Sequence, residues 1–209
     1  MMDAVIKARI LPAVVISDSS GAVPLARAIL AGGLNVLEVT FRHADAPRCI
    51  EKIRKEIPEM YVGAGTLLSE SQVQQAIDAG AQFGVTPGFN PGTVRAARVR
   101  QFPIIPGVLT PGEMEQAMEL QCSIVKFFPA EAAGGVRYLQ AIAAPYAHTK
   151  LRFIPLGGIS PENMNQYLAL PMVAAIGGSW LTGGKVTGSH DFGRVTELVR
   201  QAVTIAAQR

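Results

Sequence analysis

Cys122-Ser123-Ile124-Val125-Lys126-Phe127-Phe128-Pro129, followed by Ala130-Glu131-Ala132-Ala133-Gly134-Gly135, reads as a short buried strand running into a loop and then a helix. Ile124, Val125, Phe127 and Phe128 are β-branched or aromatic, and Pro129 ends any ladder because it has no N–H to donate. Side chains alternate faces along a strand, so Ile124, Lys126 and Phe128 share one face. A strand apolar on both faces suits a parallel sheet covered by helices. Lys126 is the anomaly in that run. A buried ammonium needs a partner or a purpose. Burial disfavours the charged form and lowers a lysine pKa, and a neutral amine condenses with a carbonyl to form a Schiff base. The competing reading is a lysine that reaches solvent along its apolar stem, or a member of a structural ion pair.

The same strand-to-helix unit repeats in both directions from this stretch. Upstream lie Leu11–Ile16 with cap candidates Ser17–Ser20 and a helix over 21–31. Val36–Arg42 follows with a helix over 46–57, then Met60–Thr66 with a helix over 70–79 capped by Ser69. Gln82–Pro87 precedes a helix over 92–100, and Pro103–Val108 precedes a helix over 111–120 capped by Thr110 with proline at its first position. The lysine strand feeds a helix over 135–143. Downstream, Leu151–Gly158 precedes a helix over 161–168 capped by Ser160, and Met172–Ser179 precedes a last helix over 191–207. Eight units without a linker predict a single-domain α/β fold over residues 1–209, a closed (β/α)8 TIM barrel. An open, doubly wound sheet is the alternative. The barrel is preferred because it gathers the polar and glycine-rich strand ends at one mouth.

Composition bounds the function. The chain has 209 residues, 49% apolar and 17% charged, enough for a large core and too apolar for disorder. A net charge of +3, with scattered basic residues and no aromatic-interleaved basic block, fits an anionic small molecule and argues against nucleic acid. No apolar run reaches the ~18 residues of a membrane span, and the N-terminus lacks a signal-peptide pattern. Cys49 and Cys122 are distant and outside any CxxC, as in a reduced, cytoplasmic protein. His43, His148 and His190 are isolated, so no metal site is expected.

In such a barrel the active site lies at the C-terminal strand ends. Collected there are Glu38, Arg42, Thr66, Thr86-Pro87, Lys126, Gly157-Gly158 and Gly177-Gly178-Ser179. Alternation puts Val36, Glu38, Thr40 and Arg42 on the inward face. A Glu38–Arg42 or Glu38–Lys126 ion pair is the structural alternative to a catalytic role. Paired glycines after the seventh and eighth strands suit a phosphate, because backbone N–H groups approach an anion closely there and a helix N-terminus adds positive potential.

Val36-Leu37-Glu38-Val39-Thr40 with Arg42, Val62-Gly63-Ala64-Gly65-Thr66, Thr86-Pro87-Gly88, Val125–Glu131, Gly157-Gly158-Ile159-Ser160 and Gly177-Gly178-Ser179-Trp180-Leu181 together resemble the class I 2-keto-3-deoxy-6-phosphogluconate (KHG/KDPG) aldolases. The resemblance runs in order along nearly the whole chain. It implies a homotrimer of barrels, working without metal or cofactor through a covalent Schiff base. The reaction implied is reversible cleavage of a phosphorylated keto acid to pyruvate and glyceraldehyde 3-phosphate. By the same resemblance Lys126 is the Schiff-base lysine and Glu38 the general acid/base. Arg42 and Thr66 hold the pyruvyl carboxylate, Pro87 and Phe128 line the pyruvate pocket, and Gly157, Gly158, Gly178 and Ser179 bind the phosphate. One position departs: Leu156 stands where these enzymes usually have threonine, which makes it the candidate for substrate stereochemistry at C4. Cleavage of 4-hydroxy-2-oxoglutarate, of the phosphogalactonate epimer, and a phosphate-binding barrel without imine chemistry are the other readings.

Overall fold

The computed structural model describes residues 2–182 and 190–208. Its strands are β1 (Ile10–Val14), β2 (Val36–Thr40), β3 (Tyr61–Gly65), β4 (Phe83–Val85), β5 (Ile104–Ile105), β6 (Gly107–Val108), β7 (Ile124–Phe127), β8 (Arg152–Pro155) and β9 (Ile176–Gly178). The expected fifth strand is thus two pieces, β5 and β6, broken at Pro106. Proline supplies no ladder donor, yet its carbonyl still accepts from the Lys126 N–H at 2.8 Å, so the wall continues through the break.

All strand pairs are parallel, and they close a ring. β1 pairs with β2 and with β9, β2 with β3, β3 with β4, β4 with β5, β6 with β7, and β7 with β8. The last gap, from β8 to β9, is crossed just before β9 begins. Phe153 donates to Met172 and accepts from Ala174, each at 2.9 Å, around a Phe153–Val173 bridge. This closure makes the molecule a barrel and rules out the open sheet.

The helices are α1 (Asp3–Ala8), α2 (Ala22–Ala31), α3 (Ala46–Glu56), α4 (Glu70–Asp78), α5 (Pro91–Val99), α6 (Pro111–Glu119), α7 (Gly135–Ala143), α8 (Met164–Leu168) and α9 (Phe192–Ala207). Their starts are set by side-chain caps. Ser69 accepts from Gln72, Asn90 from Gly92 and Thr93, and Asp191 from Arg194, while Thr110 and Glu113 form a reciprocal capping box. The expected helix at Pro161 is shorter: residues 161–163 form turns, and α8 begins at Met164. Ser160 does not cap it, because its hydroxyl is engaged by Glu162 at 2.5 Å.

Alternation along the strands sorts the core into two layers. Outward residues such as Leu37, Val39, Val125 and Phe127 pack with the helices. Inward residues Leu11, Val36, Phe83, Ile105, Ile124 and Ile154 form a separate cluster inside the barrel. That inner cluster also contains Val5 of α1, a helix not among the eight expected units. Val5 is fully buried, which contributes about 1.5–3 kcal/mol toward holding α1 under the barrel. No described helix is long and apolar enough to cross a membrane. Cys49 and Cys122 are unpaired and buried, and burial pushes their thiols up to about 12 and about 11.

Candidate active site

A cavity of about 150 Å³ opens at the C-terminal strand ends. Its wall includes Glu38, Arg42, Lys126, Phe128, Leu156, Gly157, Gly158, Gly178 and Ser179. Glu38 is the third residue of β2 and Lys126 the third of β7, both turned inward as alternation requires. They are 1% and 5% exposed. The carboxylate is seated by the strand beside it. Gly65 of β3 also faces inward, and a Cβ there would overlap Glu38 Oε1 outright and stand 2.5 Å from its Cδ. Gly63, two residues earlier on the same face, leaves room for the Phe83 ring lower in the barrel. The glycines of β3 are therefore spaces for other side chains.

Neither structural alternative for these charges holds. Among the described residues the ion pairs are Arg27–Glu56 and Arg200–Glu197, both at the surface, and Glu38 Oε2 is buried without a hydrogen bond. A buried ion costs on the order of several kcal/mol, so the site pushes both groups toward neutrality. Burial lowers Lys126 below the ordinary lysine value, Glu38 opposes that shift, and Arg42 adds to it. Burial likewise raises Glu38 against the pull of Lys126 and Arg42. The Lys126 amine lies 4.9 Å from the centre of the Phe128 ring, which covers one side of it.

The rim carries paired glycines at Gly157 and Gly158. Gly157 and Gly158 adopt φ of 102° and 82°, the left-handed region that glycine enters without strain. Among the described residues no hydrogen bond uses the N–H groups of Gly157, Gly158 or Ile159, which leaves them free to donate to a bound anion. The helix after the seventh expected strand starts only at Met164, six residues past Gly158, while a short 3-10 helix, Trp180–Thr182, starts directly after Ser179. Leu156 lines the cavity and packs on Gly177, its Cδ1 2.5 Å from where a Cβ would be.

Thr66 and Pro87 follow β3 and β4 as expected but do not line this cavity. Thr66 is held at φ 58°, an uncommon conformation for threonine. Pro87 sits in a turn braced by Thr86, whose hydroxyl donates to Gly88 O at 2.6 Å and accepts from Gly107 N at 3.1 Å. Four wall residues had no role in the sequence reading: Ala13, Val15, Thr40 and Ile159. Alternation along Leu11-Pro12-Ala13-Val14-Val15 would have found the first two. Thr40 was placed on the inward face, and its hydroxyl ties β2 to β1 by donating to Val14 O at 2.9 Å. A larger cavity of about 390 Å³ lies at the opposite end, bordered by Arg98, Phe102, Ile104, Gln121 and Ile124. It holds no acid–base pair like that of Lys126 and Glu38. No described group of His, Cys, Asp or Glu is arranged to hold a metal ion.

The family model described as KDPG and KHG aldolase matches residues 1–198. The chain belongs to that family. It is an aldolase. It is 46% identical over 194 residues to the KHG/KDPG aldolase of Escherichia coli (strain K12), covering 93% of this chain and 90% of that one. Identity to the 2-dehydro-3-deoxy-phosphogluconate aldolase of Treponema pallidum (strain Nichols) is 44% over 205 residues, covering 98% and 97%. Among solved structures, the KDPG aldolase of Legionella pneumophila, with pyruvate captured at low pH as a covalent carbinolamine, superposes with a TM-score of 0.90. It has 36% identity, and 96% of this chain and 97% of that chain are covered.

Proposed function

We propose that this aldolase cleaves 2-dehydro-3-deoxy-6-phosphogluconate to pyruvate and glyceraldehyde 3-phosphate through an imine on Lys126. The observation that carries the reading is a buried lysine with no ion-pair contact, sharing a cavity with a buried carboxylic acid. The lone pair of Lys126 Nζ adds to the C2 carbonyl, and the carbinolamine loses water to give an iminium. A base removes the C4 hydroxyl proton, the C3–C4 bond breaks, and its electrons flow into the iminium to form an enamine. Protonation at C3 and hydrolysis release pyruvate and restore the amine. Glu38 serves these proton transfers from its seat against Gly65. Arg42 pairs with the substrate carboxylate, and Gly157, Gly158, Gly178 and Ser179 take the phosphate. The family pattern adds Thr66 to the carboxylate contacts and Pro87 to the pyruvate pocket. A cytoplasmic homotrimer is part of the same reading. The test is pyruvate release from the phosphorylated acid in the presence of a metal chelator. Equimolar pyruvate and glyceraldehyde 3-phosphate support it, and absence of release overturns it. The same proton transfers would cleave 4-hydroxy-2-oxoglutarate to pyruvate and glyoxylate, a reading favoured by the double name of the Escherichia coli relative.

Two further outcomes follow from the wall. Gly65→Ala is expected to displace the Glu38 carboxylate and slow turnover by about 10²–10³-fold. Turnover close to the natural rate in a folded variant would show that Glu38 tolerates another seat. Leu156 presents no donor to the C4 hydroxyl, so the natural protein is expected to cleave the phosphogluconate and phosphogalactonate acids with similar kcat/KM. Leu156→Thr should move that ratio toward the gluconate epimer by about 3–10-fold, the scale of one hydrogen bond. A strong natural preference left unchanged by the substitution would assign C4 recognition to another residue.

A further inference from the structure

The glycine pair at the rim does not hold its shape alone. On one side it packs against the loop that leaves the lysine strand. Ala130 N–H donates to Leu156 O at 2.9 Å and Glu131 N–H to Gly157 O at 3.0 Å. The fit is tight: a Cβ on Gly158 would stand 2.6 Å from Glu131 Cβ, and one on Gly157 would stand 3.2 Å from Phe128 and Pro129. On the other side Asn163 Nδ2 donates to Gly158 O at 3.0 Å, while its Oδ1 accepts from Ser160 N–H at 2.8 Å. The two sides are joined through one side-chain pair. Tyr167 of α8 is fully buried, and its hydroxyl donates to the Glu131 carboxylate. Burial and that carboxylate push the phenol well above its usual value, so it remains a donor throughout the working range. Neither Tyr167 nor Glu131 lines the cavity. The pair acts on the backbone next to it.

We infer that Tyr167 is a positioning residue which, through Glu131, fixes the Gly157–Gly158 N–H groups for the substrate phosphate. The inference rests on the proposed aldolase reaction and concerns its phosphate end alone. Glu38 lies on β2, and Lys126 is held within β7 by pairing with Gly107 and Ile154 before the Glu131 loop begins, so the imine end of the site stays intact when this bond is lost.

Tyr167→Phe removes the hydroxyl and keeps the ring in its buried place. It is expected to raise KM for the phosphorylated keto acid about tenfold with little change in kcat, the pattern of lost uniform binding. Inorganic phosphate, used as a competitive inhibitor, should weaken by a similar factor. The rate of borohydride trapping with pyruvate, which carries no phosphate, should stay at the natural value. Glu131→Ala, at an exposed position, should copy the effect, and Glu131→Gln, which retains an acceptor, should restore most of it. An unchanged KM in both Tyr167→Phe and Glu131→Ala overturns the inference. So does a fall in pyruvate trapping that matches the rise in KM, because that marks general damage to the site. If the natural protein neither traps pyruvate nor cleaves the phosphorylated acid, the aldolase reading itself fails. If it does both and only the variants keep their KM, the positioning role alone is lost.

Discussion

Incubation with pyruvate and borohydride should leave a carboxyethyl group on the Lys126 amine, found by digestion and mass spectrometry, and on no other lysine. Borohydride reduces the imine but not a bound salt, so the label reports covalent chemistry directly. Lys126→Arg is expected to abolish the label and to lower turnover by about 10⁵–10⁶-fold, the scale on which covalent nucleophiles are missed. Guanidinium keeps the charge and is a poor nucleophile at any working pH. A label on a different lysine sinks the mechanism. Lys126→Met separates chemistry from folding. The folded lysine titrates below its unfolded value, so burying it costs stability at low pH, and the cost fades as pH rises from the folded toward the unfolded value of about 10.4. Toward low pH, where the cost of the buried ammonium is greatest, Lys126→Met should therefore melt above the natural protein while remaining inactive.

Glu38→Gln should slow turnover by about 10²–10⁴-fold with folding nearly intact. The amide has almost the shape of the acid, and it breaks no ion pair, because neither pair among the described residues involves Glu38. The substitution also has a signed effect on its neighbour. Glu38 holds the Lys126 pKa up against burial. Its removal should move the pH inflection of pyruvate trapping further down, even as the steps that need proton transfer become slower. The measurement is trapping rate against pH in both proteins. An inflection at the same pH in both would show that Glu38 is already uncharged in the free enzyme. Full activity of Glu38→Gln would hand the proton transfers to water.

Much of this site was legible because two strands carry polar residues in an apolar, period-two pattern. Val36-Leu37-Glu38-Val39-Thr40 and Ile124-Val125-Lys126-Phe127 each sort themselves into an inward and an outward face, and the structure keeps that sorting. The barrel also followed from repetition, since eight strand-to-helix units leave few other closures. What escaped depends on contacts distant in sequence. Nothing local in Tyr61-Val62-Gly63-Ala64-Gly65 says that Gly63 yields to Phe83 and Gly65 to Glu38. The division of the fifth strand follows from Pro106, a residue visible in the sequence but read there as part of one run. The late start of α8 arose because Ser160 has the right identity for a cap and the wrong partner, Glu162. Nothing in the sequence singles out Tyr167. Its contact with Glu131, 36 residues earlier, appears only when two loops are folded side by side.

The layer of Leu11, Val36, Phe83, Ile124 and Ile154, with Val5 of α1 beneath it, has a consequence for traffic. Among the described residues the chamber is a blind alley that opens at the strand ends. On the proposed chemistry pyruvate is tethered to Lys126 deeper in the alley, and the phosphorylated aldehyde stands between it and the doorway, against the glycine rim. The two products must therefore leave in single file, aldehyde first, and the water that frees pyruvate enters only after the aldehyde has stepped out. Run backwards, the queue reverses: pyruvate has to be seated first, and an aldehyde arriving early occupies the passage its partner needs.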